Sequence, residues 1–341
     1  MRTLVVSDLH LGARLRRDVL RRPEALEALL GALENVERVV LLGDVVELLE
    51  GRPERAMEVA EPVLRAVGAR LGGGREVIVV PGNHDAALVR PWVRAQGKSL
   101  AADTPIPYDA TPLLAQVASW LGPAAVRVQY PGVWLAERVW ATHGHYLDRH
   151  LLPETAYGIA RGLLGRVPRG GATPVDYERA GGPSLTRLEA LLTRWLPRPL
   201  AGLADDFAEF LRAATMPGIP PRLLSHRMAP VPAMLLGAQM RRASIPAIAR
   251  VVHQLRLDAD WVIFGHVHRC GPLAGDDPRR WRAPGGRPRI ANAGCWVYEP
   301  LLVHRAAPPH PYWPGGAILL EEGHDPKAVG LLDHIDASLL H

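Results

Sequence analysis

Six of the 14 histidines in this 341-residue chain fall within a set of five short segments, three of which carry carboxylates or an amide. The segments are Asp8-Leu9-His10, Gly43-Asp44, Gly82-Asn83-His84-Asp85, His143-Gly144-His145 and Gly265-His266-Val267-His268. Imidazole nitrogens, carboxylate oxygens and an amide oxygen together suit Mn²⁺, Fe or Zn²⁺ and fit Ca²⁺ poorly. A carboxylate such as Asp44 has two oxygens and can bridge two cations. Two metals ~3.5–4 Å apart can hold a hydroxide between them and clamp phosphoryl oxygens for in-line attack. A metal also lowers the pKa of its water towards neutrality. A histidine near a leaving group can donate a proton, worth about 10²–10⁴-fold. The chain has no Gly-x-Ser-x-Gly elbow and no convincing P-loop, so its chemistry is not that of a serine nucleophile or a P-loop NTPase. One such segment alone says little, since Asp-x-His is common and His-x-His is more often a packed pair. Five in succession are hard to produce by chance.

The elements that must position these residues are legible as strands. Thr3–Val6, Arg38–Leu42, Val77–Val80, Val139–Thr142 and Trp261–Phe264 are short apolar runs, each ending at one of the five segments. Helical periodicity occupies 25–33 and 54–71 between them. Strand–loop–helix alternation of this kind indicates an α/β fold with function at the carboxyl ends of the strands. Further strands are expected at 126–128, 133–135, 289–292 and 317–320. The pattern changes after 145. Apolar faces at 185–195, 207–214 and 245–255 read as helices, separated by Pro- and Gly-rich breaks. Residues 146–255 therefore read as a helical, basic, amphipathic insertion, a lid or cap. Residues 1–145 and 256–341 read as the catalytic domain.

Composition bounds the rest. Hydrophobic residues make up 48% and charged residues 22%, ordinary globular usage that excludes a disordered or fibrous chain. No apolar stretch is long enough to span a bilayer. Asp8 interrupts any signal-peptide core, so a cytoplasmic location is expected. Cys270 and Cys295 are too few for a disulfide framework and read as small buried hydrophobes. The net charge is +5, and residues 146–255 carry the whole excess, with 14 arginines against eight acids. That segment is either a solvated face or faces an anionic substrate or membrane surface.

On these five segments, in this order, the chain resembles the calcineurin-like metallophosphoesterase superfamily over residues 1–145 and 256–300. The resemblance implies a two-sheet β-sandwich flanked by helices, with a dinuclear metal centre holding two divalent ions, Mn²⁺ first and Fe or Zn²⁺ as alternatives. It implies that Asp8, His10 and His268 bind one ion, that Asn83, His143 and His266 bind the other, and that Asp44 bridges them. His84 would sit beside the phosphate as general acid or electrostatic stabiliser, oriented by Asp85. His145 and Arg14 are candidate phosphate contacts, each weighed against packing or exposure. Glu47 either supports the site or starts a helix, and Asn292-Ala293-Gly294 reads as a structural turn. The opening segments look like the branch containing UDP-2,3-diacylglucosamine hydrolases, which cut a pyrophosphate in a lipid-bearing nucleotide. That likeness implies a small phosphoester or pyrophosphate substrate and peripheral membrane or lipid contact through 146–255. The rivals are a nuclease or nucleotide phosphodiesterase of the same superfamily and a non-catalytic scaffold. Nucleic acid is the weaker partner, because no stacking module or DNA-binding motif accompanies the basic segment. A scaffold predicts lost metal ligands, and every expected ligand is present.

Overall fold

The computed structural model describes residues 1–13, 16–49, 52–96, 100–150, 171–179, 244–303 and 306–340. The helices expected at 185–195 and 207–214 lie outside the described residues, as does most of 146–255.

Two sheets face each other. The larger has seven strands: β1 (Arg2–Val6), β2 (Arg38–Leu41), β3 (Glu76–Val79), β4 (Thr104–Ile106), β5 (Ala125–Tyr130), β10 (Gly316–Glu321) and β11 (Lys327–Gly330), in the order β11-β10-β1-β2-β3-β5-β4. Its centre is parallel, from β1 through β2 and β3 to β5, while β10 and β4 join it antiparallel. The smaller sheet orders β6 (Gly132–Ala136), β7 (Val139–Thr142), β8 (Trp261–Phe264) and β9 (Arg289–Asn292), with β7, β8 and β9 parallel.

The two-residue period of the strands builds the layers. Val5, Val40 and Ile78 turn inward to meet Val133, Ala141, Ile263 and Ala291 of the small sheet. Leu4, Val6, Val39, Leu41, Val77 and Val79 turn outward onto the helices. These include α1 (Pro23–Ala32), α2 (Pro53–Leu71) and α4 (Pro112–Leu121), while α3 (Arg90–Gln96) follows the third motif. Strands covered on both faces read as continuous apolar runs, which is why they were visible in sequence. Each of α1, α2 and α4 opens on a proline at its first turn. There its fixed φ suits the helix and its missing N–H is not needed. On the other side, Ile248, Val251 and Val252 of α6 (Ile245–Gln254) cover Trp140, Val262, Phe264 and Ile290 of the small sheet. A shorter helix, α5 (Pro174–Arg179), joins the same outer cluster through Tyr177. The result is helix, sheet, sheet and helix, the two-sheet α/β sandwich expected.

Among the described residues, no helix is long and apolar enough to cross a membrane. Both cysteines are buried and unpaired.

Candidate metal centre

Strands β1, β2, β3, β7 and β8 deliver the five segments to one edge of the sandwich. The local backbone there is unusual. Eight non-glycine residues among those described have positive φ, and five are candidate ligands: Asp8 (57°), His10 (44°), Asp44 (52°), His266 (67°) and His268 (57°). Left-handed backbone at non-glycine residues costs energy and clusters where function requires it. It turns these side chains abruptly off the strand ends, so that they converge.

Space is tight enough to require glycine before three of the motifs; a Cβ at Gly82 would lie 2.3 Å from Asp44 Oδ1. A Cβ at Gly265 would lie 1.9 Å from Ser7 Oγ and 2.5 Å from Asp8 Oδ2. At Gly43, which has φ +84°, it would meet the His143 ring at 2.5 Å.

Among the described residues, three donor sets each have all their ligand atoms within 4.8 Å of one another: Asp8–His10–His268, His10–Asp44–His84 and Asp44–His143–His266. In the first, Asp8 Oδ1 lies 3.3 Å from His268 Nε2 and 3.9 Å from His10 Nε2. In the last, His143 Nε2 lies 3.1 Å from both Asp44 Oδ2 and Asn83 Oδ1, while its Nδ1–H donates to the Leu42 carbonyl at 3.0 Å. Asp44 joins the sets through one atom. Its Oδ1 accepts the His84 backbone N–H at 2.8 Å, and its Oδ2 faces both His143 Nε2 and, at 3.9 Å, His10 Nε2.

The donor set fits divalent cations on two independent grounds. Asp8 Oδ1, which has the His268 ring near it at 3.3 Å, and His10 Nε2 are fully buried yet have no hydrogen-bond partner among the described residues. Buried polar atoms are rarely left so, and a bound ion is one standard reason for it. Charge is the second ground. Burial pushes the Asp8 carboxyl up, but the His143 and His268 rings hold it down at about 2. The Asp44 carboxyl is held well below its usual range by His143 and His84, also against burial. Burial lowers His143, and Asp44 and Asp8 bring it up to about 9. The carboxylates are thus balanced by ring protons, the charge a divalent ion replaces when imidazoles bind it.

Glu47 is the residue that sequence reasoning left undecided. No helix starts there, since α2 begins at Pro53. Its buried carboxylate accepts from two rings at once, His10 Nδ1 at 2.8 Å and His84 Nδ1 at 2.7 Å. Two protonatable rings hold it well below the normal carboxylate range despite burial. A carboxylate on one ring nitrogen fixes the tautomer and aims the other nitrogen. The signal was the spacing Gly43-Asp44-x-x-Glu47, with nothing local to say which ring it would meet.

The expectation that Asp85 orients His84 is corrected. Asp85 Oδ1 accepts the Gly82 N–H at 2.6 Å and its Oδ2 the Val45 N–H at 2.8 Å, so it ties the second and third motif loops together. Burial and the nearby Asp44 charge push it up to about 6. The two backbone donors claim both oxygens, and the ring partner is Glu47.

His145 lies beside the centre, its ring 5.7 Å from that of His143. Its Nε2 is 3.4 Å from Tyr130 Oη, and its buried Nδ1 has no partner among the described residues. Burial and the His143 and His266 rings hold it well below the usual histidine range, so it is neutral. Arg14 lies outside the described residues. Asn292 is a turn residue: its Nδ2 donates to Gly265 O at 2.7 Å and its Oδ1 accepts from Gly294 N at 2.9 Å. Cys295, behind it, helps hold His268 well above its ordinary range against burial. Solvent reaches the centre past His84, His266 and His268, whose side chains are 14%, 17% and 29% exposed, while Asp8, Asp44 and His143 form its floor.

Residues 1–166 match the family model of the calcineurin-like phosphoesterases. This region belongs to that family. No curated protein matches the chain. A solved structure of a cold-active protein-tyrosine phosphatase of the psychrophile Shewanella sp. and one of a point mutant of a cold-active protein tyrosine phosphatase each align over 96% of this chain and 80% of theirs. Their identity is 12% and their TM-scores are 0.31 and 0.30, a likeness too distant to carry an argument. The family match and the clustered Asp and His donors together support a metal-dependent phosphoesterase.

Proposed function

We propose that this calcineurin-like phosphoesterase is a dinuclear hydrolase of small phosphoesters or pyrophosphates. The observation that carries the reading is the sharing of Asp44 Oδ2 between the donor sets on either side of it. Asp8, His10 and His268 would hold one ion. Asn83, His143 and His266 would hold the other, with Asp44 common to both. When bound, two such ions supply Lewis acidity to the phosphoryl oxygens and lower the pKa of a water near neutrality, with Mn²⁺ the first candidate.

The protein's own groups supply the rest. Glu47 holds His84 by Nδ1, so its Nε2 side serves the phosphate. A proton delivered from there to the leaving oxygen contributes about 10²–10⁴-fold. Asp85 keeps the loop carrying Asn83 and His84 registered on the loop carrying Asp44. His145 is neutral, and its Nε2–H faces Tyr130 Oη, whose own proton goes to Glu178, so its Nδ1 is an acceptor beside the centre for a substrate hydroxyl or a bound water.

For the substrate, we propose an amphiphilic anion of the lipid-linked nucleotide pyrophosphate kind, on the basis of the arginine-rich segment 146–255. The test is Mn²⁺-dependent hydrolysis of bis(p-nitrophenyl) phosphate by wild type and by Asp44→Asn, followed by UDP-2,3-diacylglucosamine. Turnover by wild type alone supports the reading. Equal turnover by both, or a wild type that binds no metal, refutes it.

A further inference from the structure

Asp148 has no place in the five motifs, yet it reaches the centre. After β7 the chain reverses at Gly144 (φ +108°) and enters a 3₁₀ turn, His145–Arg149. Residues i and i+3 of a 3₁₀ turn lie on one face. His145 and Asp148 therefore share a face, and Asp148 Oδ1 lies 3.0 Å from His266 Nε2. The turn is braced from behind. Leu147 is buried in the outer cluster with α6, and the Tyr146 ring stacks on Tyr177 of α5 at 4.6 Å. His266 is held from its other end by its backbone N–H, which donates to Asp8 Oδ2 at 2.9 Å. Its ring meets that of His143 edge-on at 5.2 Å.

We propose that Asp148 is a positioning residue of the second metal half-site, acting through His266. The inference rests on the dinuclear reading above. A carboxylate accepting from one imidazole nitrogen fixes the tautomer and raises the basicity of the other. Losing such a partner typically weakens metal affinity 10–100-fold. Asp148 stands at the head of the arginine-rich segment, so the same turn that begins this segment also sets the geometry of one ion and not the other.

The test uses the full-length chain stripped of metal and titrated with Mn²⁺, followed by calorimetry and electron paramagnetic resonance. Wild type should take up two ions and show a spin-coupled pair. Asp148→Asn and Asp148→Ala should bind the first ion with wild-type affinity and the second 10–100-fold more weakly. At intermediate Mn²⁺ their spectrum should be that of an isolated ion. In a His266→Ala background, adding Asp148→Asn should change nothing further, because a residue acting through His266 has nothing left to act on. Urea melts of the metal-free Asn variant, matching wild type, show that the fold is intact. Two ions with wild-type affinities and a coupled spectrum in both variants would overturn the inference. So would equal weakening of both ions, or an additive loss in the His266→Ala background. If wild type itself takes up fewer than two ions, the dinuclear reading fails instead.

Discussion

Replacing Glu47 by Gln should damage both halves of the chemistry, and the structure says how. The carboxylate now accepts from His10 Nδ1 at 2.8 Å, from His84 Nδ1 at 2.7 Å and from the Leu49 N–H at 3.1 Å. A glutamine presents one oxygen and one NH₂ in the same place. Both Nδ1 atoms approach Oε2, and His84 Nδ1 also lies 2.9 Å from Oε1, which takes the Leu49 N–H. With its oxygen at the Oε2 place, a glutamine sets its NH₂ against His84 Nδ1 and the Leu49 N–H; turned round, it sets its NH₂ against both rings. A ring that faces NH₂ can accept only by moving its proton from Nδ1 to Nε2. If that ring is His10, the Nε2 that lies 3.9 Å from Asp44 Oδ2 loses its lone pair and the first ion is weakened. If it is His84, that ring keeps Nδ1 only as an acceptor and loses the carboxylate that would stabilise it when charged. Loss of a carboxylate partner behind a metal-bound histidine costs about 10–100-fold in affinity. Loss of an oriented acid costs about 10²–10⁴-fold in rate. At saturating Mn²⁺ we expect kcat to fall at least ~10²-fold, about 2.7 kcal/mol of transition-state stabilisation. The KM for bis(p-nitrophenyl) phosphate should change little. The assay is steady-state hydrolysis across a Mn²⁺ series, with Kd for the metal measured separately. A variant within about threefold of wild type in both kcat and metal affinity would refute the argument that Glu47 sets the two tautomers.

Metal uptake should release protons. His143 titrates at about 9 in the metal-free protein because Asp44 and Asp8 favour its charged form. A metal must displace that proton at any lower pH. Apparent affinity should therefore rise with pH and level off above about 9, by up to about tenfold per unit for each proton displaced. Calorimetry at pH 7 in buffers of different ionisation enthalpy should show the release, and buffer-independent heats would contradict it. Gly265→Ala should drive a methyl into Ser7 Oγ and Asp8 Oδ2, costing about 1–3 kcal/mol of stability and displacing Asp8. A urea melt and metal analysis check it, and a variant with wild-type stability and metal content would contradict it. Added Mn²⁺ should stabilise the metal-free protein by about 2.7 kcal/mol at a hundredfold excess over Kd. Asp44→Asn should forfeit most of that rise in Tm, and an equal rise in both would contradict a site built on Asp44.

Much of this was legible because both kinds of signal were local. Strands buried on two faces are continuous apolar runs, so β1, β2, β3, β7 and β8 announced themselves together with the motifs at their ends. The ligand types then followed from the segments, without knowledge of the sheet order. What was not legible depends on contacts across the fold. Glu47 meets His84 across 37 residues, and Asp148 meets His266 across 118. Neither pair leaves a mark in a spacing. Asp85 shows the opposite error. It follows His84 directly, and the resemblance to the family implied that it orients that ring. Its carboxylate instead turns to the buried N–H groups of Gly82 and Val45, which need acceptors. Tyr130, Tyr146 and Glu178 were missed for the same reason. Both hydroxyls donate to the same Glu178 carboxylate, yet the three residues come from β5, the 3₁₀ turn and α5.

If two ions share Asp44, anomalous diffraction at the manganese edge from Mn²⁺-loaded crystals will show both. Two peaks about 3.5–4 Å apart are expected. Asp44 Oδ2 should lie between them, with His10 and His268 on one side and His143 and His266 on the other. A single peak, or peaks away from Asp44, would contradict that sharing.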